Sequence, residues 1–195
     1  MTPDGSRALY ALLVAAVGLE RLFELWLTRR NLGRSRRRGG VEAGRGHYPA
    51  MVLLHVLFLA ACPAEVFLLE RPFRPALAAA MLVLLGGSMA LRYWAIATLG
   101  ERWTTRVVVE PGAPAVATGP YRIVRHPNYL AVVVEGLALP LVHGAWLTAA
   151  GFTLGNALLL AVRIRVEEAA LERHADYAAR LGDRGRFLPR WGRRG

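Results

Sequence analysis

Three stretches of this sequence are apolar over twenty residues or more, and that length constrains the fold more than any other feature. They run from Ala8 to Leu27, from Tyr48 to Leu69 and from Ala76 to Leu99. A helix rises about 1.5 Å per residue, so twenty residues reach about 30 Å, the thickness of a bilayer's hydrocarbon core. A fourth run, Tyr129 to Val142, is too short to cross alone. His143 and Gly144 break it from a fifth, Ala145 to Val162, which is long enough. The pattern predicts an all-α, polytopic membrane helix bundle of about five transmembrane helices, forming a single domain over residues 1–195. The last two runs pair as a helical hairpin whose first arm is tilted or only partly spanning.

Charge supports the same class. The chain is 54% hydrophobic yet carries a formal net charge of +11. Spans and loops separate those two properties, which a soluble domain rarely combines. Every basic residue is arginine. Seven arginines lie between Thr28 and His47, four between Gly100 and Pro127 and nine from Arg163 onward, against two between Glu70 and Pro75. The positive-inside rule then places the N-terminus outside and the C-terminus in the cytoplasm. The arginines sit beside apolar spans, with no helix-turn-helix, RNP-like or zinc pattern, so membrane lipid is the expected partner and nucleic acid is not. The first apolar run follows no basic n-region and precedes no small-residue cleavage site, and is expected to be a retained span. Cys62 reads as a small core residue, and no metal site is expected.

Several ionisable groups fall inside the spans: Glu20, Arg21, Glu24, Glu65, Arg92 and Glu135. Each costs a few kcal/mol near a bilayer centre unless paired or hydrated. Glu20 and Glu24 are one turn apart, so with Arg92 they form either a structural ion pair or the lining of a substrate cavity. Arg106 is a further candidate for substrate lining, and Glu65, toward the outer end, reads as a snorkelling or pairing residue. The segment Arg34 to Gly46 is biased enough to be expected mobile. The connection Gly100 to Pro127 has a short β-like run, Thr105 to Val109, and then enough proline and glycine to stop a helix.

The strongest local signal is Thr118-Gly119-Pro120-Tyr121-Arg122-Ile123-Val124-Arg125-His126-Pro127-Asn128-Tyr129. Pro127 suits a first helical turn, which leaves the amides of Asn128 and Tyr129 free at a positive helix end, suited to an anion. Tyr121 and Tyr129 offer aromatic faces for a nucleobase or a sulfonium. A basic, aromatic interfacial cap is the bland alternative. The second signal is Arg163-Ile164-Arg165-Val166-Glu167-Glu168, where Arg163 and Glu167 share a face and Glu168 turns away. A carboxylate there can accept two ribose hydroxyls and an arginine can hold an oxyanion. The segment Glu167 to Leu181 also has helical spacing.

Gly-Pro-Tyr, then Arg-His-Pro-x-Tyr, then a helical hairpin, then Glu-Glu resembles the isoprenylcysteine carboxyl methyltransferase family, with related motifs in phospholipid N-methyltransferases and, more distantly, membrane sterol reductases. The resemblance covers about residues 99–181. Glu20-Arg21-Leu22-Phe23-Glu24, Gly39 to Gly44 and His47-Tyr48-Pro49 look like a bacterial subgroup that includes alkylpyrone O-methyltransferases. The resemblance implies S-adenosylmethionine as cofactor, in a cytoplasmic cleft formed by loop 100–127 and the C-terminal helix. It further implies that Val116, Tyr121, His126, Pro127, Asn128, Tyr129 and Glu167 bind the cofactor and that Arg163 is catalytic, facing a lipophilic acceptor from the inner leaflet. The family often has a histidine-leucine-valine run before Gly-Pro-Tyr. Here only Val116 matches, so Ala113 and Pro114 have only their backbone to contribute. The function implied is O-methylation of a carboxylate or an enol or phenol, such as an alkylpyrone or an isoprenylcysteine-like compound. Phospholipid N-methylation and a non-catalytic membrane scaffold or transporter subunit are the alternatives.

Overall fold

The structure, a computed structural model, describes residues 2–189. Six helices dominate it: α1 (Pro3–Arg37), α2 (Tyr48–Leu68), α3 (Pro75–Leu99), α4 (Pro127–Leu141), α5 (Trp146–His174) and α6 (Tyr177–Leu181). Two short strands, β1 (Val41–Ala43) and β2 (Val107–Val109), pair antiparallel with Glu42 opposite Val108. The chain is thus the expected membrane helix bundle. Among the described residues, three helices are long and apolar enough to cross a bilayer: α2 with its preceding turn, α3 with its following turn, and α5. The first helix carries Glu20, Arg21 and Glu24 within its apolar run. Helix α4, at 15 residues, is about 22 Å long, short of a full crossing.

Local sequence sets the ends of these helices. Pro3, Pro75 and Pro127 each open a first turn, where the missing N–H costs nothing. Helix α1 is capped by the Thr2 hydroxyl, which accepts from the Gly5 amide at 3.2 Å. Gly144, with φ of 69°, makes the left-handed turn that reverses the chain between α4 and α5.

Two expectations need correction. The arginine-rich segment after Leu27 is not a loop: α1 continues through it to Arg37. Arginine is a good helix former, and Thr28, Asn31 and Ser35 recur at helical spacing as a buried polar face. That face docks the loop after α3. The Asn31 side chain donates to the carbonyls of Gly100 (3.2 Å) and Trp103 (2.8 Å), and the Thr28 hydroxyl accepts from the Thr105 amide at 3.0 Å. Beyond it, residues 41–43 pair with β2 instead of hanging free. Likewise Glu167 to Leu181 is not one helix. Its first part is the unbroken continuation of α5 to His174, and α6 follows after a break at Ala175 and Asp176.

The main hydrophobic core gathers Tyr10, Val14 and Val17 of α1, Phe58, Cys62 and Val66 of α2, Leu85 of α3 and Leu139 of α4. It therefore lies toward the end of the bundle where the α2–α3 and α4–α5 turns lie. Glu65 closes that end: its carboxylate accepts from the amides of Leu147 (3.1 Å) and Thr148 (2.7 Å) and from the Thr148 hydroxyl (2.7 Å), and pairs with Arg71 at 2.8 Å. It caps α5 from a neighbouring helix. At the opposite end, where loop 100–127 and the tail meet, the bundle opens into cavities.

Candidate active site: two cavities sharing one arginine

The loop between α3 and α4 is shaped by close backbone approach. Gly119 has φ of 54°, and a Cβ there would sit 2.3 Å from the Thr98 hydroxyl, so glycine alone fits. The following Pro120 is buried, and the turn Gly119–Arg122 delivers Tyr121 inward. The tail latches this loop: the amides of Arg125 and His126 donate to the carbonyls of Gly185 (2.9 Å) and Arg186 (3.0 Å), and the Arg184 guanidinium donates to the Tyr121 carbonyl at 2.6 Å. On the other side, Val107 and Val109 of β2 pack against Ala170 of α5.

Loop, β2, tail and α5 enclose a cleft of about 150 Å³. Val116, Tyr121, His126, Asn128, Tyr129 and Glu167 all line it, together with Arg163. Pro127 is buried beneath them in the first turn of α4 and shapes the helix start. Ala113 and Pro114 are also in the wall, and the Pro114 carbonyl accepts from Arg102 at 2.8 Å.

A continuous polar line crosses the cleft. Arg163, 6% exposed, donates through Nε to the Tyr129 hydroxyl at 2.8 Å, through Nη2 to the Thr105 carbonyl, and through Nη1 to the Met51 sulfur at 3.0 Å. The Tyr129 hydroxyl in turn donates to the Glu167 carboxylate. The His126 ring stacks on Tyr129 at 5.3 Å between centroids, with Nδ1 3.7 Å from Glu167 and Nε2 3.1 Å from Glu168. Glu168 is held by Arg186, by Arg125 at 3.2 Å and by the Tyr177 hydroxyl at 3.4 Å. It turns away from Arg163, as its position on α5 requires, and ties the tail to the site. Burial, reinforced by the Glu167 charge, pushes the Tyr121 phenol well up, so it stays protonated.

A second cavity of about 210 Å³ lies deeper in the bundle between α1, α2 and α5. Its walls are mostly apolar, with Met51, Val52, Leu59 and Leu160 among them. Trp103, Asn128, Tyr129 and Arg163 line both cavities, so the two meet at Arg163.

The four residues marked for substrate lining separate. Glu24 and Arg92 face the second cavity. Arg106 faces the outer cleft instead, donating to Glu42 at 2.7 Å and lying 4.3 Å over the Tyr48 ring. Burial alone would raise the Glu42 carboxyl, but the hydrogen bond from Arg106 and the charges of Arg106, Arg45 and Arg36 outweigh it and hold it below the usual range. Glu20 lines neither cavity and pairs with Arg21 at 2.9 Å. Arg21 also bonds Glu24 at 3.0 Å, and Arg92 bridges Glu24 at 3.3 Å and Glu135 at 2.5 Å. The group is thus an ion network whose inner members also form part of a cavity wall. No cluster of metal-ligating side chains exists among the described residues.

Sequence reasoning missed Trp103, which carries nothing in its neighbourhood to mark it, and the clamp of Glu168 by Arg186, two residues from separate segments. The second half of the Glu-Glu pair was the available hint.

Comparisons with known proteins agree with this architecture. Residues 78–173 match the model of the isoprenylcysteine carboxyl methyltransferase (ICMT) family. The uncharacterized protein YpbQ of Bacillus subtilis (strain 168) is 37% identical over 168 residues, which are 86% of this chain and 99% of that one. An uncharacterized protein of Haemophilus influenzae is 28% identical over 135 residues, 69% of this chain and 78% of that one. Among solved structures, the eukaryotic intramembrane Ras methyltransferase ICMT superposes with a TM-score of 0.52 at 23% identity, over 74% of this chain and 53% of that chain, a likeness of fold. The chain belongs to the isoprenylcysteine carboxyl methyltransferase family, a family of membrane methyltransferases.

Proposed function

We propose that this protein is an S-adenosylmethionine-dependent O-methyltransferase that methylates an oxyanion of a lipophilic acceptor at the cytoplasmic face of the membrane. The observation that carries the proposal is the meeting of two unlike cavities, one loop-walled and the more polar, the other helix-walled and mostly apolar, at Arg163. A transfer enzyme needs a polar donor and an apolar acceptor to reach one point from different phases.

The outer cleft suits the cofactor. Glu167 is the carboxylate for ribose hydroxyls, Tyr121 and Tyr129 supply aromatic faces, and the buried Oδ1 of Asn128 has no partner among the described residues, an acceptor waiting for a donor. Bound there, S-adenosylmethionine supplies a methyl group on a positively charged sulfur. Arg163 orients the acceptor oxygen: three contacts fix its guanidinium at the junction, and its charge holds an oxyanion without a general base. Positioning and exclusion of water supply most of the rate, since a carboxylate or acidic enol is already anionic near neutral pH. The acceptor enters the inner cavity from the leaflet. An alkylpyrone or an isoprenylcysteine-like acid fits this description better than a phospholipid amine, because the group at the junction is a cation.

Calorimetric titration of the purified protein with S-adenosylmethionine tests the reading. Glu167→Ala abolishes binding while the protein stays folded in detergent, and Arg163→Lys keeps the affinity within threefold. Unchanged affinity in the Glu167 variant sinks the cofactor assignment.

A further inference from the structure

The inner cavity is not uniformly apolar, and its polar groups fall into two kinds. Glu24 and Arg92 are ion-paired with each other and with Arg21 and Glu135. His55 and Asn156 stand outside that network. Asn156, on α5, is 4% exposed, lines the cavity and has no hydrogen-bond partner among the described residues. His55, on α2, lines the same cavity and uses Nδ1 on the Met51 carbonyl at 2.8 Å. Since a carbonyl only accepts, Nδ1 carries the hydrogen, and in the neutral ring Nε2 is left as a hydrogen-bond acceptor. It has no partner among the described residues.

The two groups lie on facing helices and line the same cavity. The His55 ring stands edge-on to Phe152 at 5.2 Å, and Phe152 lies one turn before Asn156 on the same face of α5. Leu54, beside His55, packs 3.0 Å from where a Cβ of Gly155 would be. Asn156 is seven residues, two turns, before Arg163 on α5, which places it about 10 Å from the junction along the helix axis.

A hydrocarbon tail filling this cavity would strip water from an amide and an imidazole nitrogen and give nothing back. Each polar group buried without a partner carries an uncompensated desolvation penalty. A hydroxyl at that depth would satisfy both, donating to His55 Nε2 and accepting from the Asn156 amide.

We propose that the acceptor is not a plain hydrocarbon-tailed acid but carries a hydroxyl within its hydrophobic body, about two helical turns from the oxygen that receives the methyl group, and that His55 and Asn156 read it. This rests on the inner cavity being the acceptor site.

Binding of stearic acid and 10-hydroxystearic acid to the full-length protein in lipid nanodiscs, without cofactor, tests it by calorimetry. The wild type binds the hydroxy acid at least tenfold tighter, about 1.4 kcal/mol. Asn156→Leu and His55→Phe each bring the two acids within twofold, and the second variant covers a folding failure of the first. Equal affinities in the wild type, a preference for stearic acid, a preference that survives both variants, or failure of both acids to bind overturns the proposal. A separate arm adds S-adenosylmethionine labelled in its methyl group. Hydroxyl selectivity without methyl ester overturns carboxylate methylation and leaves the subsite standing, whereas methyl ester without selectivity does the reverse.

Discussion

Replacing Arg92 with methionine separates two physical views of the charged network inside the bundle. Arg92 is 3% exposed and bridges Glu24 at 3.3 Å and Glu135 at 2.5 Å. Three carboxylates, Glu20, Glu24 and Glu135, are held by two guanidiniums, Arg21 and Arg92. Methionine has a similar volume, so packing is nearly preserved, but three carboxylates are left with one cation. Breaking a buried pair by removing one partner costs about 3–5 kcal/mol, because the remaining charge stays desolvated. For a chain of this size each kcal/mol moves the melting temperature by roughly 2–4 °C. The expected fall is therefore at least about 6 °C in fluorescence-detected thermal unfolding in detergent. Adding Glu135→Gln to the variant restores the original charge balance and recovers more than half of the loss. Because Glu24 and Arg92 also line the inner cavity, water has a route to them, and hydration is the competing argument. A fall under 2 °C in the single variant shows that the cavity water already solvates these charges and that the network contributes little to stability.

Two further outcomes follow from the same geometry. Glu65→Ala removes three hydrogen bonds accepted from the start of α5 and the ion pair with Arg71, and loss of this cap and its charge-assisted bonds lowers stability by roughly 2–3 kcal/mol; a change under 0.5 kcal/mol in thermal unfolding refutes the capping role. Single cysteines replacing Arg37, Thr118 and Asp183 in a Cys62→Ala background, all at exposed positions, resist a membrane-impermeant thiol reagent in intact cells and react after permeabilisation, while one at Arg74 reacts in both; labelling of Thr118 from outside breaks the orientation and the cytosolic supply of the cofactor together.

Much of this was legible because the signals were local. Apolar runs mark α2 and α3 nearly to their ends and the start of α5, which continues past Val162 to His174, and His143-Gly144 marks the hairpin turn. Arg163 and Glu167 share a face because they are four residues apart. The Gly-Pro-Tyr and Arg-His-Pro-x-Tyr elements fall in one cleft because α4 begins at Pro127. What stayed hidden depended on distant partners. Hydropathy stops at Leu27, whereas α1 continues because Thr28, Asn31 and Ser35 bury a polar face against the loop at Gly100. Strands of three residues leave no periodicity to read, so the pairing of Glu42 with Val108 had no sequence trace. The Glu168 clamp joins α5 to residues 125 and 186, and nothing near any of the three announces the others.

The polar groups of this molecule sort by whether the fold satisfies them. Glu65 and Glu168 are buried and fully engaged, and they act as fasteners: one fixes the start of α5, the other ties the tail to the loop. The buried Oδ1 of Asn128 has no partner among the described residues, and the amide of Asn156 and Nε2 of His55, whose residues line the inner cavity, make no hydrogen bond among them. An unpartnered atom informs only in that setting, since the Tyr10 hydroxyl and His143 Nδ1 also lack a partner among the described residues yet line neither cavity. In a bilayer, where burying a polar group is costly, a fold that leaves such groups open beside empty space gains by filling that space with a ligand of matching polarity. Arg163 stands between the two classes. Its contacts to Tyr129, Thr105 and Met51 fix its position as a fastener's would, and its charge, with no carboxylate in direct contact among the described residues, faces both cavities at the point where they join.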